Sequence, residues 1–164
     1  MDNDTLNRRV WEEMVAANMR ANYFADFVHL YQERDKFFRI ASLVLASGAV
    51  ASAIVAVNNP LVRITAPIIA AIVGAWLQFG QYSMLSRDAA DLMVSWQSVA
   101  GKYEKLWNNL YEGGEQRFDE IYKDADALSK PGSKFPRDDE KLGMWLDRTL
   151  NELNSRYAQP EPSR

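Results

Sequence analysis

The chain has no cysteine and a single histidine, His29. Without thiols it can form neither a disulfide framework nor a thiolate metal site or nucleophile, which agrees with a reducing compartment. It also lacks any Lys/Arg tract. With a net charge of −3, nothing in the charge pattern points to nucleic acid. No cleavable signal peptide is visible, because the first 38 residues are charged and the apolar run begins only after them. A nucleophile beside a base, a Gly-rich phosphate loop and a metal-ligand spacing are all missing, and "GGE" at 113–115 lacks the strand and Lys/Ser context of a phosphate loop. The expectation is a protein that is not an enzyme and has no cofactor. Asp26, His29 and Glu33 share one helix face at a spacing that could hold a metal. Charge at that spacing is, however, the default for a solvated helix face.

Charge itself is scarce in one place. A mean hydropathy of −0.32 describes an ordinary soluble protein, but the average hides a segregation. Between Arg39 and Arg87 the only charged residue is Arg63. On either side of it run "IASLVLASGAVASAIVAV" (40–57) and "ITAPIIAAIVGAWLQFGQY" (64–82), apolar on all sides. At about 1.5 Å per residue each reaches roughly 27 Å, close to the hydrocarbon thickness of a bilayer. The expected fold class is therefore an all-α membrane protein with two transmembrane spans. The alternative is a pair of buried helices in a globular core, although the remaining chain has few apolar residues to wrap them.

Basic residues flank the pair of runs: Arg34, Lys36 and Arg39 before it, Arg87, Lys102 and Lys105 after it. The positive-inside rule then places both termini in the cytoplasm of a bacterial inner membrane, with residues 58–63 on the far side. Within the tip, Asn59 and Pro60 read as the N-cap and first position of the returning helix, and Arg63 can reach water and headgroups. That helix either kinks at Pro67 or starts later, at Thr65.

Outside the apolar window, Val10, Met14, Ala17, Ala21, Phe24, Val28 and Tyr31 recur at spacings of four and three. So do Leu85, Ala89, Leu92, Trp96, Val99, Tyr103, Leu106 and Leu110. Apolar residues spaced this way make a coiled-coil seam. Folding the chain about Pro60 pairs 10 with 110, 14 with 106, 24 with 96 and 31 with 89, always with an index sum of 120. A slip of seven residues would also align the heptads. Residues 1–112 thus read as two long antiparallel helices, with residues 5–37 and 83–112 forming a cytoplasmic coiled-coil stalk below the spans. Extending the seam pairs Phe38 with Tyr82 and Ser42 with Gln78. The Gln78 amide is satisfied by Ser42, hydrated at the interface, or lining a pore of an oligomer. Small residues (Ala46, Ala49, Ala53 and Ala56, then Ala66, Ala70 and Gly74) offer span-packing surfaces.

Residues 113–164 form a tail. Gly113 and Gly114 are expected to stop the second long helix. A short helix then presents Phe118, Ile121, Tyr122, Ala125 and Leu128, and residues 129–137 make a loop. A second short helix from Asp138 or Asp139 turns Leu142, Trp145, Leu146, Leu150, Leu153 and Tyr157 inward, and "AQPEPSR" is a disordered end. Both short helices are expected to fold back on the stalk or on a neighbouring subunit.

A helix running through "RDKFFRIASLVLASGAVASAIVAV", a short tip, "PIIAAIVGAWLQFGQY" and the heptad helix "SRDAADLMVSWQSVAGKYEKLWNNLY" together resemble the SLATT family. The resemblance covers about residues 5–112 and rests on layout rather than on a short motif, so it assigns no residue a role. It implies a membrane effector of a bacterial antiviral defence system, one that oligomerises and perturbs or permeabilises the inner membrane. It further implies a trigger from a cytoplasmic sensor or nucleotide-signalling partner. The expected partners are then the lipid bilayer and further copies of the chain. The competing expectation is a non-pore, membrane-anchored scaffold that docks a soluble partner through its cytoplasmic helices.

Overall fold

A computed structural model describes residues 3–46, 65, 82–109 and 114–157. Among them are five helices: α1 (Asn3–Ala46), α2 (Tyr82–Asn108), α3 (Gly114–Ala127), the single turn α4 (Ser129–Gly132) and α5 (Asp139–Tyr157). α1 runs for 44 residues, and its sequence holds neither glycine nor proline to break it. Ion pairs along it, the exposed Arg8–Glu12 and Lys36–Glu33 and the part-buried Arg39–Asp35, are spaced one helical turn apart. Each such pair contributes only about 0.3–0.5 kcal/mol, so the length of α1 rests on its apolar seam.

The chain divides into two compact units, residues 1–27 with 88–164 and residues 28–87. In the first unit, Trp11 meets Trp107 with ring centroids 5.3 Å apart, and the Arg20 guanidinium lies 4.6 Å from the centre of the Trp96 ring. The index rises along α1 as it falls along α2, so the two helices are antiparallel. Val10, Met14, Ala17, Ala21 and Phe24 are buried here, and so are Ala89, Leu92, Trp96, Val99, Tyr103 and Leu106. The period of three and four therefore does select the core-facing side of both helices, because that spacing keeps a single stripe turned inward. α3 adds Phe118, which touches Tyr103 at 5.9 Å and carries the Arg9 guanidinium over its ring at 4.7 Å. The tail thus folds back on the α1–α2 pair of its own chain.

The second unit is described at residues 28–46, 65 and 82–87. The expected partners Phe38 and Tyr82 do stack there, with centroids 5.0 Å apart and planes 9° from parallel. Tyr31 is buried and stacks on Tyr82 at 6.2 Å.

The transmembrane hairpin requires correction. Among the described residues no helix is long and apolar enough to cross a membrane. After Arg39, α1 is described for only seven more residues, Ile40–Ala46, a rise of about 10 Å against a hydrocarbon core of about 30 Å. α2 opens at Tyr82 and meets Arg87 and Asp88 within two turns. The expected fold class of membrane-spanning hairpin and the expected localisation in a bacterial inner membrane are both withdrawn on this finding. The remainder of the runs 40–57 and 64–82 lies outside the described residues, apart from Thr65 and Tyr82.

The helix ends also differ from expectation. α2 stops at Asn108, where the Asn109 N–H donates to the Leu106 carbonyl, and Gly114 opens α3 instead of closing α2. Ser129–Gly132, expected as loop, forms the turn α4. Asp138 caps α5, its carboxylate accepting the Lys141 N–H at 3.1 Å. Along α5 Leu153 is buried as expected, but Leu146 faces outward and Thr149 is buried in its place.

Two glycines sit inside helices without need. A Cβ built at Gly101 or Gly143 meets nothing within 4 Å. Gly101→Ala and Gly143→Ala should each stabilise the fold by about 0.5–1 kcal/mol, since alanine loses less backbone entropy than glycine on helix formation. Thermal melts should show each midpoint raised by roughly 2–4 °C per kcal/mol; a lowered midpoint would mean that the backbone there is not helical.

Candidate functional site

One cleft gathers side chains from several elements of the first unit. α1 supplies Arg20, Tyr23 and Phe24, α2 supplies Trp96, and the segment from Leu128 to Leu142 closes the rest of a space of about 430 Å³. Hydrogen bonds hold that segment in place. The Tyr23 hydroxyl donates to the Pro136 carbonyl at 2.8 Å and accepts the Asp138 N–H at 3.0 Å. Burial pushes the Tyr23 phenol above its ordinary value, the bond from Asp138 opposes that rise, and the Asp138 and Asp139 carboxylates add to it. Phe135 is buried between Phe24 and Phe27, with ring centroids 5.5 Å from each. Nearby, Trp145 Nε1–H donates to the Asp26 carboxylate at 2.7 Å. At the far end of α5, the Tyr157 hydroxyl donates to Glu104 at 2.7 Å. Burial first, then that carboxylate, raises the Tyr157 phenol.

Among the described residues three buried polar atoms find no partner: Trp96 Nε1, the Tyr103 hydroxyl and Thr149 Oγ1. A buried group left without a hydrogen bond costs about 1–3 kcal/mol, so each of them calls for an explanation. Trp96 is the one among them that lines the cleft.

The residues expected to carry function fall elsewhere. Ser42 is exposed near the end of α1. Ala46 ends that helix, and nothing further is described of its side chain. Gln78, Ala49, Ala53, Ala70 and Gly74 lie outside the described residues, as do the tip residues Asn59, Pro60 and Arg63. The Ser42–Gln78 pairing is therefore outside the description too. His29 is exposed, Asp26 is engaged by Trp145, and Glu33 pairs with Lys36 at 3.2 Å. Among the described residues no group of three His, Cys, Asp or Glu is placed to hold a metal.

Sequence reading missed the cleft because its walls come from elements far apart in the chain. One local signal was there: "SKPGSKFPR" sets an aromatic residue between a Gly and a Pro in an otherwise polar stretch. A lone Phe in such a segment is a natural anchor, since only burial recovers its hydrophobic free energy. No protein-family model, curated protein or solved structure matches the chain.

Proposed function

We propose that this protein is a non-catalytic helical interaction protein that self-associates through α1. One observation carries the reading. Phe37, Ile40 and Leu43 stand 67%, 62% and 72% exposed on α1, and Met84 on α2 is 58% exposed. Phe37, Ile40 and Leu43 follow one another at intervals of three and cover about a third of the helix circumference. Contiguous exposed apolar surface of this kind marks an interaction site, because leaving it in water forgoes about 25 cal/mol per Å². In the first unit Val94, Tyr122, Met144 and Leu146 are exposed singly on three helices, and scattered exposed apolar residues of that kind need no partner.

The membrane-perturbing activity implied by the resemblance to the SLATT family needs a membrane-crossing hairpin. No described helix is long and apolar enough to supply one. Self-association needs only the exposed stripe.

Light scattering after size exclusion tests it. The parent chain should run as a dimer or larger, and the double variant Ile40→Glu/Leu43→Glu should run as a monomer with unchanged helix content. A parent that stays monomeric at roughly 100 µM, where even a complex with a Kd of about 10 µM would form, would sink the proposal.

A further inference from the structure

The geometry points to a ligand for the cleft between α1, α2 and the α3–α5 connection: a small organic anion, an apolar body bearing one carboxylate or phosphate group. The inference does not depend on self-association. Its first support is size, since about 430 Å³ falls within the roughly 300–1,000 Å³ typical of small-molecule sites. Its second is charge. Among the described residues Arg20 and Arg137 line the cleft and no Asp or Glu does. Arg137 spends its Nε on Asp139 at 2.6 Å, at the exposed rim. Arg20 is half-buried and makes no ion pair among the described residues. It lies on the face of Trp96, which holds the guanidinium in place without using its N–H donors. A guanidinium fixed in this way is suited to receive a carboxylate or phosphate through paired hydrogen bonds.

The third support is the lining around Arg20. Trp96 is 3% exposed and its Nε1–H has no acceptor among the described residues. An anionic oxygen in the cleft would meet the Arg20 charge, whereas the Trp96 Nε1 atom is closed off from the open space of the cleft. The remaining wall is mostly apolar, with Phe24, Leu128, Phe135 and Leu142 beside Ser129 and Ser133. Such a wall favours a ligand with an apolar body over a bare ion. Because the lining comes from α1, α2 and the connection to α5, an occupant would also tie these elements together. Bound ligand would then raise the thermal midpoint by mass action.

Isothermal titration of the full chain with phenyl phosphate, phenylacetate and inorganic phosphate tests the assignment. At least one of the two organic probes should bind once per chain with a Kd below about 1 mM, and the tighter one identifies the head group. Inorganic phosphate should bind at least tenfold more weakly. Arg20→Gln should weaken the organic probe tenfold or more, and Arg20→Lys should recover part of that loss. Arg137→Gln, at an exposed position where folding is not at stake, should weaken it about threefold. No saturable binding of either organic probe overturns the proposal. So does affinity unchanged in both Arg20→Gln and Arg137→Gln. Inorganic phosphate binding as tightly as phenyl phosphate overturns it as well, leaving only a site for adventitious ions.

Discussion

Tyr103→Ala should cost about 3–5 kcal/mol and drop the thermal midpoint by ten degrees or more. Tyr103 is fully buried and its ring packs on Phe118, so truncation opens a cavity where α2 meets α3. Tyr103→Phe should behave quite differently. The hydroxyl has no hydrogen-bond partner, so removing it loses no bond and relieves a buried polar atom. Stability should stay equal or rise slightly.

The same pair of proteins should separate at high pH. Burial above all, then the Glu13 carboxylate and Tyr122, push the Tyr103 phenol up from 10.0, against the opposing Arg20 and Arg9 charges. The folded state therefore holds this proton more tightly than the unfolded state does. The stability this contributes is whole below pH 10 and drains away as the pH rises from there through the folded value. The slope from one such group is at most about 1.4 kcal/mol per pH unit. Urea titrations between pH 9 and about 11 should show a shallower alkaline loss for Tyr103→Phe than for the parent. Equal slopes would mean that the phenol reaches water.

Phe135→Ala should cost about as much, roughly 3–5 kcal/mol, with a more local consequence. Phe135 anchors the connection between α4 and α5 by filling the space against Phe24 and Phe27. Lys134 and Arg137 beside it are exposed, so loss of the anchor should speed limited trypsin cleavage at both before the rest of the unit unfolds. Phe135→Leu should retain most of the stability, losing less than about 1.5 kcal/mol. If Phe135→Ala left both the melt and the cleavage rate unchanged, the anchor would have to be the Tyr23 hydrogen bonds alone.

The seam residues show how far the sequence could be read. Val10, Met14, Ala17, Ala21 and Phe24 on α1, and Ala89 through Leu106 on α2, follow one period, and burial of that stripe is a local consequence of helix geometry. The stack of Phe38 on Tyr82 was legible for the same reason. Reading failed where the same signal has two meanings. Run length and an all-round apolar character took 40–57 and 64–82 for membrane spans, yet no described helix meets the length and hydropathy of one. It failed again on α5, where Leu146 and Thr149 are three positions apart and composition favoured the wrong one.

What the sequence determined by itself is the helical period, the antiparallel seam and the lack of thiol chemistry, because each follows from residue type and local spacing. The tertiary structure alone decided that Phe135 is core, that Asp26 serves Trp145, and that Arg20, Trp96 and Leu142 share a cleft. Those groups meet only after the chain has turned back on itself twice, and no local periodicity encodes which distant side chain will lie across the gap.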